Sequence, residues 1–148
     1  TNEIDACIWR CSMQNWDDFT EATKKYGVPG QNMGYADVYG NIGWRPAVYI
    51  PVRKEGSSLI PRPGNKAEYD WQGRVPYDHM PFIINPEQGY IATANNKTID
   101  DSFPYYISGL WADPSRAERI IERLGQTDRV NINDMKSIQL DYTSRFAS

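Results

Sequence analysis

The sequence predicts an α+β fold, with antiparallel strands in the middle of the chain and helices at both ends. Three observations predict it. Asn15 stands as a helix cap before Trp16, Phe19, Ala22, Thr23 and Tyr26, which recur at helical spacing. Two strand-like runs, 31–38 and 42–52, flank Tyr39-Gly40-Asn41, a turn with the glycine that a hairpin needs. Asp113-Pro114 then opens a helix, the cap supplying an acceptor and the proline giving up a donor that would have no partner there.

The chain has 148 residues, 40% of them hydrophobic, which is enough to bury the core of one domain. Five Trp and ten Tyr point to packing by large rings. The net charge is -3 with both signs mixed, which leaves no basic footprint for nucleic acid and no polybasic membrane patch. No apolar run reaches the ~18 residues of a membrane span, and no signal peptide is visible. The chain opens Thr1-Asn2-Glu3-Ile4 without Met, so it reads as a processed or cut chain.

The elements follow in order. Ile4, Cys7, Ile8 and Cys11 fit the tail of an amphipathic helix. Neighbouring turns of one helix suit a disulfide poorly, and two thiols alone make no zinc site. Both cysteines therefore read as small apolar core residues. In the helix from Trp16 to Tyr26, Asp17 and Asp18 occupy the first turn and Lys24 and Lys25 the last, matching the helix dipole. Gly27 and Pro29 close it. In the second strand Trp44, Val48, Ile50 and Val52 are interrupted by Pro46 and Pro51, which argues for an edge or a bulge. Residues 54–78 are rich in Gly and Pro and read as a surface connection pinned by Tyr69, Trp71 and Tyr77. Further strands are expected over 81–94, then an irregular stretch, 97–110. The Asp113-Pro114 helix carries the stripe Ala117, Ile120, Ile121 and Leu124 and stops at Gly125. A last helix starts near Asn131 with Asp134 as a capping-box partner, and Met135, Ile138 and Tyr142 as its buried face.

Chemistry concentrates in Gly89–Asn96, GYIATANN. Tyr90–Ala94 reads as a buried strand, and it ends in two asparagines. Taken on residue type alone, Asn95 and Asn96 fit two roles. They can open a turn through Asx bonding, or present a neutral N–H donor to a developing negative oxygen. Arg116, in the first turn of its helix, reads on its own as a solvated charge. His79 is the single histidine and reads as structural or solvated. There is no G-x-S-x-G elbow, phosphate loop or dinucleotide fingerprint.

Five blocks in order resemble one family. Tyr35–Trp44, YADVYGNIGW, is similar to a YADVxGNIGY hairpin. Pro61-Arg62-Pro63-Gly64 with Tyr69–Gly73 is similar to a P-x-PG segment followed by WxG. Val75-Pro76-Tyr77-Asp78 resembles IPFDE, Ile84-Asn85-Pro86 through Tyr90 resembles NPxxGYI, and GYIATANN resembles an active-site strand. The family that all five resemble is the penicillin acylase family of N-terminal nucleophile hydrolases, and together they cover roughly residues 15 to 145.

The resemblance implies a segment, the C-terminal part of the large subunit, of a four-layer αββα sandwich. It implies hydrolysis of a linear acyl amide through an acyl-enzyme, with Asn95 stabilising the oxyanion and Asn96 ordering the turn. Arg116, following Leu110-Trp111, is implied to stand near the nucleophile's amino group and to help hold Asn95. Asp113-Pro114 departs from the family pattern at that point. The nucleophile strand should precede Thr1, so Thr1 is not expected to be the nucleophile. Implied partners are the remaining parts of the parent acylase, namely the nucleophile segment and the small subunit, and a small-molecule acyl amide. No cofactor is implied. Asp100 and Asp101 are acidic residues of the kind that bind calcium in some relatives, but their surroundings match poorly and they read as turn carboxylates. An isolated segment is expected to be inactive and to self-associate. The competing reading is an autonomous aromatic-rich module that binds carbohydrate or peptide without catalysis.

Overall fold

Helix α2, Trp16–Lys24, begins where the Asn15 side chain accepts from the Asp18 N–H at 2.8 Å. In this computed structural model, which describes residues 3–54 and 59–145, the helix lays Phe19, Ala22 and Thr23 into the core. Thr1 lies outside the described residues. Helix α1, Glu3–Arg10, precedes it. Strands β1, Gln31–Ala36, and β2, Ile42–Ala47, form the expected antiparallel hairpin, and β3, Ile83–Ile84, adds a third antiparallel strand on the far side of β2.

The hairpin turn is built around one carboxylate. Asp37 accepts from the backbone N–H groups of Tyr39 and Asn41, both at 2.9 Å, from the Asn41 amide at 2.7 Å and from the Tyr35 hydroxyl at 2.9 Å. Gly40 turns the chain with φ of 88°, which only glycine adopts freely. Asn85 then clasps the turn: its side chain accepts from the Ile42 N–H at 2.9 Å and donates to Asn41 Oδ1 at 2.9 Å. These contacts give a physical reason for the residues Asp37, Asn41 and Asn85 in the YADVYGNIGW and INP blocks.

Aromatic rings fill the space between α2 and the hairpin. Trp16 stacks on Phe19 at 5.2 Å and meets the Tyr35 ring edge-on at 5.6 Å. The Trp16 ring lies directly over Gly43, so any side chain there would collide with it. Trp44, buried, donates from Nε1 to Asn32 Oδ1 at 3.0 Å. Arg45 is buried as well, with its guanidinium over the rings of Tyr77 at 4.3 Å and Phe82 at 5.0 Å. A second apolar cluster gathers Ile50, Val75 and Met80. These residues, with the hairpin, belong to one compact unit, residues 1–91 and 101–109.

The other unit comprises residues 92–100 and 110–148. It holds α3, Ser115–Leu124, and α4, Ile132–Gln139. Asp113 Oδ1 accepts from the Ser115 N–H at 2.9 Å, but the helix starts one residue later than expected, at Ser115, with Pro114 in the cap position. Asn131 and Asp134 complete a capping box at the start of α4.

Four expectations are corrected. Tyr90–Ala94 forms no strand; it is irregular and half-buried, and the Ala94 N–H goes to Asn96 Oδ1 at 2.9 Å rather than to a neighbouring strand. β2 ends at Ala47 rather than Val52, and residues 50–52 pair instead with 72–75 around the Pro51–Arg74 bridge. β2 is the middle strand of its sheet, not an edge, and Pro46 is accommodated because β3 pairs only with Gly43 and Trp44. Cys7 and Cys11 are exposed free thiols, and Ile4 and Ile8 on the same stripe are exposed too, because α1 turns Ala6 inward instead. On α4, Met135 is exposed and Ile138 only half-buried, and Tyr142, expected on the same face, is exposed and lies beyond the end of the helix. Among the described residues no helix is long and apolar enough to cross a membrane.

Candidate active site

The expected pair, Asn95 and Arg116, meets within the second unit. Asn95 sits at an exposed bend with φ of 63°, a left-handed conformation that asparagine tolerates better than most residues. Its backbone is pinned because its carbonyl accepts from the Ala112 N–H at 2.9 Å. Asn96 braces the same bend, accepting from the Ala94 N–H and donating to the Lys97 carbonyl at 3.2 Å. Asn96 therefore braces the bend by bonding back to Ala94, not forward as in an Asx turn, and the Asn95 side chain points elsewhere.

The Asn95 side chain points at Arg116. Arg116 Nη2 donates to Asn95 Oδ1 at 2.6 Å and to the Ala94 carbonyl at 2.6 Å. One Nη2 carries two hydrogens, so each acceptor takes one. The short distances fit a charged donor. This contact fixes the orientation of the amide. A guanidinium has donors and no acceptor, so the amide must turn its oxygen toward Arg116 and its NH2 away. Among the described residues nothing accepts from that Nδ2.

Arg116 occupies the first turn of α3, where the helix dipole disfavours a cation. The two acceptors on the bend offset that cost. Asp113 does so too, as a carboxylate at the helix start. Its hydrogen bonds with Ser115 hold the Asp113 carboxyl below its usual range.

Two contributors escaped the sequence reading, the Ala94 carbonyl and the Ala112 N–H. Both are backbone groups, and no side-chain pattern announces them. Among the described residues no group of three or more His, Cys, Asp or Glu gathers as a metal site. His79 lies in the first unit, its Nδ1 2.6 Å from the Tyr105 hydroxyl.

Comparison with known proteins adds to this geometry. A family model described as penicillin amidase matches residues 1–148. The penicillin acylase 2 proenzyme of Pseudomonas sp. (strain SE83) is 36% identical over 124 residues, which is 84% of this chain and 16% of that protein. The acyl-homoserine lactone acylase QuiP of Pseudomonas fluorescens (strain Pf0-1) is 32% identical over 145 residues, 98% of this chain and 18% of that protein. Among solved structures, a thermostable penicillin G acylase from Alcaligenes faecalis matches with a TM-score of 0.76 at 25% identity, over 93% of this chain and 24% of that one. The chain thus spans less than a quarter of the length of each of these relatives.

Proposed function

The chain belongs to the penicillin amidase family, and on that premise we propose that it is a segment of the large catalytic subunit of an amidohydrolase, in which Asn95 is the oxyanion donor and Arg116 holds it. The relatives' names span penicillin and acyl-homoserine lactone acylases. The proposed substrate is accordingly a small molecule whose acyl group is joined to an amine by a linear amide.

The observation that carries the reading is the enforced orientation of the Asn95 amide, oxygen on Arg116 and NH2 outward on an exposed bend. The nucleophile is the N-terminal hydroxyl residue of the subunit, in a part of the polypeptide outside these residues. Its hydroxyl attacks the acyl carbon while its own α-amine takes the proton. The carbonyl electrons move onto oxygen, and Asn95 Nδ2–H donates to that oxyanion. Collapse expels the substrate amine, which takes up the proton, and leaves an acyl-enzyme ester. Water then attacks the ester through a second oxyanion at the same place, and the free acid departs. A guanidinium close to the α-amine favours the neutral amine, the form able to accept a proton. No organic cofactor or metal is needed for these steps.

The test is Asn95→Asp in the full-length enzyme. The side chain keeps its shape and its bond to Arg116 but has no outward donor. The expected result is a loss of about 10²–10³ in kcat, ~3 kcal/mol, with KM nearly unchanged. Asn95→Gly, which tolerates the left-handed backbone, should lose activity equally. Near wild-type kcat in both variants would remove Asn95 from the oxyanion site.

A further inference from the structure

Arg116 does not stand alone on its helix. Arg116, Arg119 and Arg123, three and then four residues apart, run along one stripe of α3. Three like charges on one stripe repel, so their acceptors decide how the helix is rolled. Arg116 goes to the Asn95 bend. The other two converge on Asp141, just beyond α4. Asp141 Oδ2 accepts from Arg119 Nε at 3.1 Å and from Arg119 Nη2 at 2.7 Å, and it lies 3.4 Å from Arg123 Nη1. Its other oxygen accepts from the Thr143 N–H at 2.9 Å. The Asp141 side chain is 8% exposed, so the carboxylate is fixed by neighbours rather than by water.

We propose that Asp141 is a positioning residue for the oxyanion donor: by gripping Arg119 and Arg123 it sets the roll of α3, and so places the Arg116 guanidinium on Asn95. Both Asp141 oxygens are held, so the grip is directional. Arg116 lies one turn before Arg119 on the same face, so a roll of the helix carries its guanidinium off the bend. The 2.6 Å bonds to Ala94 and Asn95 leave little room for such a shift. A displacement of about 1 Å at a site of this kind can lower the rate by about 10²-fold. Arg123 reinforces the grip through Ser137 Oγ at 2.8 Å, on α4 itself. This inference rests on the reading of Asn95 given above.

The experiment uses the full-length enzyme. Asp141→Asn should lower kcat by about tenfold or more with KM little changed. In an Arg116→Lys background, where the hold on Asn95 is already weakened, the same substitution should cost much less. Asn131→Ala, which uncaps α4 and touches none of these groups, should lower stability and leave kcat alone. If Asp141→Asn fails to fold, Arg119→Lys replaces the two-bond fork with a single ammonium and should show the same coupling to Arg116. Wild-type kcat in folded Asp141→Asn, or effects of Asp141 and Arg116 that simply multiply, would overturn the proposal. The two readings separate cleanly. Inactive Asn95→Asp with fully active Asp141→Asn removes only the positioning role, whereas active Asn95→Asp removes both.

Discussion

Three carboxylates, Asp37, Asp113 and Asp141, do structural work through the backbone N–H groups they accept. Hydrogen bonds from Asn41 hold Asp37 below the usual carboxylate range, joined by Tyr35 and the Tyr39 N–H. Arg119, then Thr143, hold Asp141 far below it. A carboxyl depressed in the folded state stabilises fully above its unfolded value, near 4, and loses that contribution as pH falls through the lower folded value. Amide exchange, corrected for intrinsic pH dependence, should therefore show Tyr39, Asn41, Ser115 and Thr143 protected at neutral pH and released only as pH falls well below about 4, Thr143 last because Asp141 is the most depressed. Asp37→Asn should release Tyr39 and Asn41 at every pH. Protection at these four amides that stays constant through the acid range would show that the carboxylates are not what holds them. At this scale the sequence was informative about Asn95 and Arg116 only through the resemblance. Taken as a lone helix residue, Arg116 is an ordinary solvated charge. What the structure adds is that its guanidinium admits only one orientation of the Asn95 amide.

Helix starts were legible because capping is local. Asn15, Asp113 and Asn131 each sit within three residues of the N–H groups they accept, so residue type and spacing sufficed. Asn131→Ala should cost ~1 kcal/mol, read from a denaturant midpoint. The hairpin was equally local, since its turn closes within Asp37–Asn41. Faces and strands beyond it were harder. An apolar stripe states that a helix face favours cover, but not what covers it, so Ile4 and Ile8 on α1 and Met135 on α4 were misassigned. Tyr90–Ala94 has strand composition, yet the Ala94 N–H is taken by Asn96 Oδ1, a local bond that replaces a ladder bond and that composition does not announce. Gly43 shows a constraint that sequence cannot reveal, since its requirement comes from the Trp16 ring that crosses it. Gly43→Ala should destabilise by ~1–3 kcal/mol through overpacking and shift the Trp16 near-UV signal.

At the scale of the whole molecule, the fold is α+β and matches part of a penicillin G acylase across 93% of the chain. Large apolar side chains stand exposed, among them Ile4 at 76%, Ile8 at 63% and Val38 at 94%. Among the described residues no strand pairs with the outer side of β1, which is six residues long. Exposed edges and apolar faces invite pairing, so the isolated chain should self-associate in sedimentation velocity and hydrolyse no amide; a clean monomer at high concentration would speak against its being a segment. The central claim is that the Asn95 amide N–H meets the oxygen on which charge develops. It is tested most directly by a crystal structure of the full-length enzyme with a phosphonate bound covalently at the nucleophile. The account predicts Asn95 Nδ2 about 2.7–3.1 Å from the phosphonate oxygen that mimics the oxyanion, with Oδ1 still on Arg116. An Asn95 amide turned away from that oxygen, with other donors in its place, would contradict it.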